Sequence, residues 1–147
     1  EVLEDIERFR RDNAATSDSY RLIGRRHVRD NNSWMHNHNR LMKGKSRCHL
    51  LMHPDDMAKE GWQTGMTVAI HGRVGSIEAE LQGSDEMMPG VISLPHGYGH
   101  ARGGTVGEIA NQHAGVSCND VTDEQFIDAL SGNAAVNGVP VTLSACS

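Results

Sequence analysis

The segment Leu94–His100 has the residue types best suited to binding a ligand. It combines two histidines, a tyrosine and two glycines within one short stretch. Pro95 fixes one backbone torsion and removes a donor, whereas Gly97 and Gly99 permit positive φ and close backbone approach. This combination is typical of an irregular loop that presents polar groups, and we expect the loop to face a ligand.

Two more segments follow apolar stretches and are dense in hydrogen-bonding side chains. Gly24–Asn37 carries Asn31, Asn32 and Ser33, and Val116–Asp123 carries Asn119 and Asp120. An asparagine amide offers a donor and an acceptor from one planar group, which suits the edges of heterocycles. The alternative is that these residues only shape turns, as asparagine and aspartate often do.

A metal site is the main rival for the histidines. His96 and His100 share one loop, and His36 and His38 lie upstream among nine histidines in all. No carboxylate or cysteine stands at a suitable spacing in the same loop, so a full ligand set is missing. The sequence therefore predicts no metal ligands.

Nucleophilic catalysis has no support in the sequence. No Gly-x-Ser-x-Gly motif is present, and Cys48 lies in an apolar stretch where a structural role is the commoner outcome. We therefore predict no catalytic residue in this chain.

These segments, taken in order with Arg47–Asp56 and Leu130–Asn133, resemble a known family. The resemblance is to the C-terminal dinucleotide-binding domain of molybdopterin oxidoreductases, which include formate dehydrogenases, nitrate reductases and dimethyl sulfoxide reductases. It extends from about Tyr20 to Ser144. It implies a double-psi β-barrel that binds part of a bis(molybdopterin guanine dinucleotide) cofactor carrying Mo or W. The cofactor would be shared with absent preceding domains, which could also carry a 4Fe-4S cluster that this chain lacks.

The resemblance also assigns site residues. Arg25 is the expected phosphate partner, because guanidinium matches phosphate bidentately. Residues 31–33 follow the first strand and would touch the cofactor, residues 96–98 would line its cleft, and Asn119 and Asp120 would contact the pterin or guanine end. The predicted cofactor-binding residues are Arg25, Asn31, Asn32, Ser33, His96, Gly97, Tyr98, Asn119 and Asp120. The isolated domain is expected to be inactive, since catalysis would need the preceding domains.

Length and the first residue bear on domain organisation. The chain has 147 residues, which suits one domain, and it begins with Glu1. Together with the resemblance, this indicates a domain cut from a longer polypeptide. We expect residues 1–19 to be a helix or linker from a preceding domain and residues 20–147 to form the binding domain.

The charge and composition of the chain limit the classes of binding partner that we expect. Lys and Arg number 14 and Asp and Glu number 19, for a net charge of −5. A general nucleic-acid or membrane-surface binder needs a basic field, so neither partner is expected. No apolar run approaches the roughly 20 residues of a membrane helix. Three widely spaced cysteines, Cys48, Cys118 and Cys146, suit a reducing compartment, so we expect a cytoplasmic protein.

The elements that must position these loops are mostly strands. Met66–His71 and Ser76–Leu81 alternate apolar and polar residues around a glycine-containing turn, which predicts a β-hairpin. Further strands are expected at Tyr20–Gly24, Cys48–Met52, Val91–Leu94 and Val139–Ala145. Many short strands with polar connections indicate a mainly β fold that closes into a small barrel.

Helices are expected to be few and short. Val2, Leu3, Ile6 and Phe9 predict an amphipathic helix at the start. His53–Gly61 predicts a second helix, with Pro54 in the first turn and Gly61 after the end. Thr122 and Gln125 match a capping box and predict a third.

Two other functions compete with cofactor binding. Double-psi barrels also serve as protein- or peptide-binding modules, and such a module would expose an apolar groove instead of a polar cleft. A small hydrolase or decarboxylase on the same fold would need a nucleophile or a processed serine, which the sequence does not offer.

Overall fold

A computed structural model describes residues 2–12, 19–104, 106–128 and 131–146. Most of the expected linker (13–18) and Leu130 of the resembling set lie outside these ranges. The elements, in chain order, are α1 (Val2–Asp12), β1 (Tyr20–Arg25), α2 (Asn39–Met42), β2 (His49–Met52), α3 (Pro54–Glu60), β3 (Thr67–His71), β4 (Ser76–Gly83), β5 (Val91–Pro95), α4 (Glu108–Gln112), a 3-10 helix (Cys118–Val121) and β6 (Val139–Ala145).

Within the described ranges, six strands close into a barrel in the order β1-β5-β2-β4-β3-β6. β1 runs parallel to β5 and β2 parallel to β4, while the remaining neighbours are antiparallel. The predicted closed, mainly β barrel is confirmed, and it is of the double-psi type. None of the helices in the described residues is long and apolar enough to cross a membrane.

The barrel encloses one apolar core, built by strands whose inward side chains alternate with outward ones. In β4 the buried residues are Ile77, Ala79 and Leu81, as the period of two predicts. Val68 and Ile70 of β3 lie opposite them and are fully buried. Burying each large aliphatic side chain contributes about 1.5–3 kcal/mol, so the core gives the loops at the barrel ends a rigid base.

The predicted strands and hairpin are confirmed to within a residue or two. β3 pairs antiparallel with β4, Ile70 lies opposite Ile77, and residues 72–75 form the turn. The first and last strands of the chain, β1 and β6, pair with each other.

Two of the three predicted helices are present. α1 spans Val2–Asp12. α3 begins at Pro54, where the ring of His53 accepts a hydrogen bond from the Asp55 amide, and ends before Gly61, whose φ of 73° is left-handed. The sequence did not predict α2, α4 or the 3-10 helix.

The helix predicted at Thr122 is wrong. Thr122 follows the 3-10 helix, and its hydroxyl donates 2.9 Å back to the carbonyl oxygen of Asn119. A capping box needs that hydroxyl as an acceptor for the Gln125 amide. The Gln125 amide instead donates to the Asp123 carboxylate at 2.7 Å. The segment therefore forms a turn rather than a helix start.

The topology places several loops at one end of the barrel, which we call the cleft end. Because β1 and β5 are parallel, with Arg25 opposite Pro95, both strands finish there. β2 is antiparallel to β5 and so begins there, as does β4, which is parallel to β2. We call residues 26–38 the first cleft loop and residues 96–104 the second cleft loop.

Candidate functional site

The three predicted segments converge at the cleft end. A Cβ placed on Gly97 would overlap the backbone of Asn32 and lie 2.8 Å from the Ser33 nitrogen. The His96 ring reaches the third segment, where its Nδ1 lies 3.2 Å from Cys118 Sγ. Segments far apart in sequence therefore form one surface, as the shared-site hypothesis requires.

The third segment is also fixed to the barrel. A Cβ on Gly75, in the β3–β4 turn, would lie 2.7 Å from the Asp120 carbonyl oxygen, and one on Gly72 would lie 2.8 Å from that of Val121. These glycines let the 3-10 helix pack directly against the turn. Asn119 and Asp120 are thereby held on a rigid base.

The first cleft loop has a constrained backbone. Asn31 and Asn32 both have positive φ, 42° and 63°. Asparagine tolerates this left-handed region better than most residues, yet two in succession are uncommon. Asn31 is exposed, while Asn32 and Ser33 are half-buried. The loop therefore presents the Asn31 side chain outward and packs its backbone against Gly97.

Four side chains of the cleft loops and one that precedes β2 form a set that we call the buried ion cluster: Asp30, His36, Tyr98, His100 and Arg47. Asp30 is its centre and is 1% exposed. Its Oδ1 accepts from Arg47 Nε at 3.0 Å and also from Arg47 Nη2, and its Oδ2 accepts from the Tyr98 hydroxyl at 3.1 Å. The fully buried His36 places Nδ1 2.7 Å from His100 Nε2 and Nε2 3.7 Å from Asp30.

The pKa values of the cluster reflect burial and charge together. Burial alone would raise the pKa of Asp30, but its bonds to Arg47 and Tyr98 and the nearby His36 hold it below the usual range. Burial and then the charge of Asp30 raise the pKa of Tyr98 to about 12. Burial lowers the pKa of His36 and of His100. At neutral pH the cluster therefore holds one carboxylate, one guanidinium and two neutral imidazoles.

His96 and Cys118 form a second polar contact, nearer the surface. Burial raises the pKa of the Cys118 thiol, so the sulfur keeps its proton and can donate to Nδ1. Burial, with the charge of Arg26, lowers the pKa of His96. A neutral ring that accepts at Nδ1 carries its proton on Nε2. That Nε2 lies over Gly24, where a Cβ would collide with it.

Arg25 makes contacts that its predicted phosphate role does not require. Its guanidinium donates to the carbonyl oxygens of Ser93 at 2.5 Å and His49 at 2.6 Å, and to that of Arg47 at 3.3 Å. These bonds tie β1 to β5 and to the start of β2. Phosphate binding by Arg25 stays a prediction. The exposed Arg26 next to it is a basic group that was not among the predicted cofactor-binding residues.

The remaining predicted residues differ in how far they are open to a ligand. Asn119 is exposed, and His96 is half-buried. The half-buried Asp120 accepts two bonds from Arg102, one of them 3.0 Å long. Tyr98 is only 7% exposed and its hydroxyl is bound to Asp30. Asn119 is therefore open to a ligand, whereas both ring nitrogens of His96 face protein atoms and Tyr98 supports the loop from below.

Comparison with known proteins identifies the family. Residues 20–140 match the family described as Molydopterin dinucleotide binding domain. The chain belongs to this family. The match includes both cleft loops and the 3-10 helix, so the convergent segments lie inside the dinucleotide-binding domain.

Two similar proteins are much longer than this chain. One of the subunits of tetrathionate reductase from Salmonella typhimurium is 29% identical, over 63% of this chain and 11% of that protein. Acetylene hydratase from Pelobacter acetylenicus has the same fold, with a TM-score of 0.73 at 18% identity, covering 92% of this chain and 19% of that one. The chain thus spans about a tenth of the first protein and a fifth of the second.

Among the residues that the structure describes, no group of three or more His, Cys, Asp or Glu side chains could hold a metal ion. His36 points into the buried ion cluster, and His96 contacts a thiol. In this molydopterin dinucleotide-binding domain His36 and His96 thus belong to two separate contacts.

The histidine pKa values predict that the domain loses stability in mild acid. His36, His96 and His100 are held below their usual pKa, so the folded state favours their neutral forms. The unfolded chain protonates them near pH 6.5, and the free energy of unfolding should therefore fall as pH drops below that value. Asp30 acts in the same direction at lower pH, because its depressed pKa stabilises the fold only while it is ionised.

Urea unfolding at several pH values between about 7.5 and 5 would measure this fall. His100→Asn removes one of the three depressed imidazoles and should flatten the pH dependence. An equal slope in wild type and variant would contradict the assignment.

Proposed function

We propose that this domain binds part of a bis(molybdopterin guanine dinucleotide) cofactor, with Mo or W, in an oxidoreductase whose other domains complete the site. The observation that carries the proposal is the convergence of three polar segments at the cleft end, all within the matched residues 20–140. When bound, such a cofactor supplies redox chemistry at its metal. The domain supplies binding and orientation.

The donor set at the cleft end suits a dinucleotide. The exposed Asn119 amide offers both a donor and an acceptor to a pterin or guanine edge. Asn31 offers a second exposed amide. Arg26 supplies an exposed guanidinium beside His96, and its positive charge would attract a pyrophosphate. Each of these groups is neutral or cationic, and the neighbouring carboxylate of Asp120 is paired with Arg102.

Exposed apolar side chains support a partner domain at the same end. Val28 and Trp34, both in the first cleft loop, are 93% and 82% exposed. Contiguous exposed apolar patches commonly mark protein contacts, and these two side chains belong to the same short loop. We propose that other domains of the parent cover them, select the substrate, and carry any 4Fe-4S cluster. A cytoplasmic parent remains the expectation.

A stand-alone interaction barrel is the second candidate, because Val28 and Trp34 would also suit a separate protein partner. The two functions differ at Asn119, whose exposed amide an apolar partner would leave unpaired. Guanine nucleotide in the purified parent favours cofactor binding, and its absence favours the interaction module.

The test replaces Asn119 with alanine in the complete enzyme. Asn119→Ala should lower molybdenum or tungsten content and released guanine nucleotide, by about tenfold if a single amide pair worth 1.4 kcal/mol is lost. The thermal midpoint should stay close to wild type, because this side chain is exposed. Gln63→Ala is the matched control, since Gln63 is an exposed amide outside the cleft loops.

Metal content and guanine nucleotide unchanged in Asn119→Ala would remove this residue from the site. Hydrolase activity of the chain on its own would contradict the whole proposal.

A further inference from the structure

We propose that the buried ion cluster joins the two cleft loops into a single unit, with Asp30 as the positioning residue that sets where both loops lie. The loops are 58 or more residues apart in sequence. The pairing of β1 with β5 places their first residues side by side, but within the described residues the sheet makes no bonds to the residues further along each loop. The consequence for cofactor retention rests on the proposed function, but the joining of the loops does not.

Three side-chain contacts cross directly from one loop to the other. Asp30 of the first cleft loop accepts from the Tyr98 hydroxyl of the second at 3.1 Å. His36 of the first lies 2.7 Å from His100 of the second. The rings of His36 and Tyr98 also pack together, with centroids 4.3 Å apart. Three contacts between the same two loops make independent movement of either one costly.

The cluster is anchored to the barrel through Arg47, which precedes β2. Arg47 binds Asp30 with two nitrogens and also donates to the Leu41 carbonyl at 3.3 Å. The Asp30 carboxylate therefore has a partner on the barrel side and a partner in the second loop. Loss of its charge would leave Arg47 half-buried with its main counter-ion gone, and would release both loops together.

Asp30 also holds the backbone conformation of the two residues that follow it. It immediately precedes Asn31 and Asn32, whose left-handed φ values persist only when the surroundings over-determine them. Asn32 in turn packs on Gly97, next to His96. Movement of Asp30 should therefore shift Asn31 and His96 even though its own carboxylate is buried away from any ligand.

A purely structural role is the alternative, and Asp56 provides the matched control. Asp56 is also a buried carboxylate, 3% exposed, which accepts from the Gly90 amide at 2.6 Å and from Lys59 at 2.9 Å. Gly90 precedes β5 and so lies at the opposite end of the barrel from the cleft loops. Asp30→Asn and Asp56→Asn each remove a buried charge, but only the first touches the cluster.

Hydrogen exchange on the complete enzyme tests the joining of the loops. Tyr98→Phe removes one crossing bond and keeps the ring, so it remains testable if Asp30→Asn fails to fold. In both variants, amides of residues 30–38 and 99–100 should exchange faster together, by about tenfold for a bond worth 1.4 kcal/mol. Asp56→Asn should leave both loops unchanged. Faster exchange in Tyr98→Phe confined to the second loop would overturn the proposal.

Cofactor retention tests the positioning role. Molybdenum or tungsten content is followed over time in mild urea for Tyr98→Phe and for Tyr20→Phe. Tyr20 is a control because its hydroxyl also binds a carboxylate, Glu60, but lies outside the cluster. The rate of metal loss should be about tenfold higher in Tyr98→Phe than in Tyr20→Phe. Equal rates of metal loss in the two variants would overturn positioning by the cluster.

A wild-type enzyme without pterin cofactor would refute the proposed function. The exchange data would still decide whether the loops move together.

Discussion

Replacing Asp30 with alanine is expected to lower the free energy of unfolding by about 3–5 kcal/mol, because removing one partner of a buried ion pair leaves the other uncompensated. Asp30 is 1% exposed, and the Arg47 side chain is 14% exposed. The Tyr98 hydroxyl would also lose its acceptor in a site too buried for water to replace it fully. Urea unfolding of the chain at neutral pH measures the change.

A double variant shows how much of the loss of stability comes from an unpaired charge and how much from the lost volume of the Asp30 side chain. Arg47→Met alone should also be strongly destabilising, since it leaves the Asp30 carboxylate buried without its cation. Asp30→Ala combined with Arg47→Met should cost less than the sum, because no unpaired charge remains. Arg73→Met, which breaks ion pairs with Asp123 and Glu124 nearer the surface, is the control and should cost less than Arg47→Met. Strict additivity would contradict a coupled pair.

The barrel strands could be predicted from sequence because their signal is local. Alternation in residues 67–71 and 76–83 depends only on which face each side chain occupies, and glycines mark the turn between them. α3 was also predictable, since Pro54 and Gly61 mark its two ends. Features of this kind need no knowledge of the rest of the fold.

The shortest helices could not be predicted because they are formed by tertiary contacts. α4 has five residues, too few for a helical period, and its first amides are bound by Asn37 from the first cleft loop, at 3.0 Å for Ile109. Isolated helices of this length are unstable in water. At Thr122 the opposite failure occurred, because a local capping pattern was overridden by the preceding 3-10 helix.

The candidate site was predicted at the level of segments, but its supporting residues were not. The resemblance selected residues 31–33, 96–98 and 119–120, which the fold brings together. Asp30 and Arg47 carry no local signal. Asp30 binds Arg47 and Tyr98, which lie 17 and 68 positions further along the chain. The direction of the Arg25 guanidinium also depends on strands far along the chain. Spacing in sequence cannot show which charged groups a fold will bury.

Replacing Gly97 with alanine is expected to separate the two cleft loops and so remove the cofactor from the complete enzyme. Gly97 has a φ of 88°, and its missing side chain leaves room for the backbone of Asn32. An added Cβ would overlap that backbone, which cannot move aside as a flexible side chain would. The positive φ adds roughly 1–2 kcal/mol of strain. Metal content should fall well below the level in Asn119→Ala, because the whole loop moves instead of one amide being lost.

Gly65→Ala separates the steric effect from the backbone strain. Gly65 has a similar φ of 94°, but nothing lies within 4 Å of its added Cβ. Both variants should therefore carry comparable strain, whereas only Gly97→Ala should displace Asn32 and, with it, Asn31 and Ser33. We expect Gly65→Ala to lower the thermal midpoint while keeping wild-type metal content. Gly97→Ala should lose stability and cofactor together. If both variants retain the cofactor equally, the close approach of the two loops does not shape the binding cleft, and the ligand must be held by other parts of the protein.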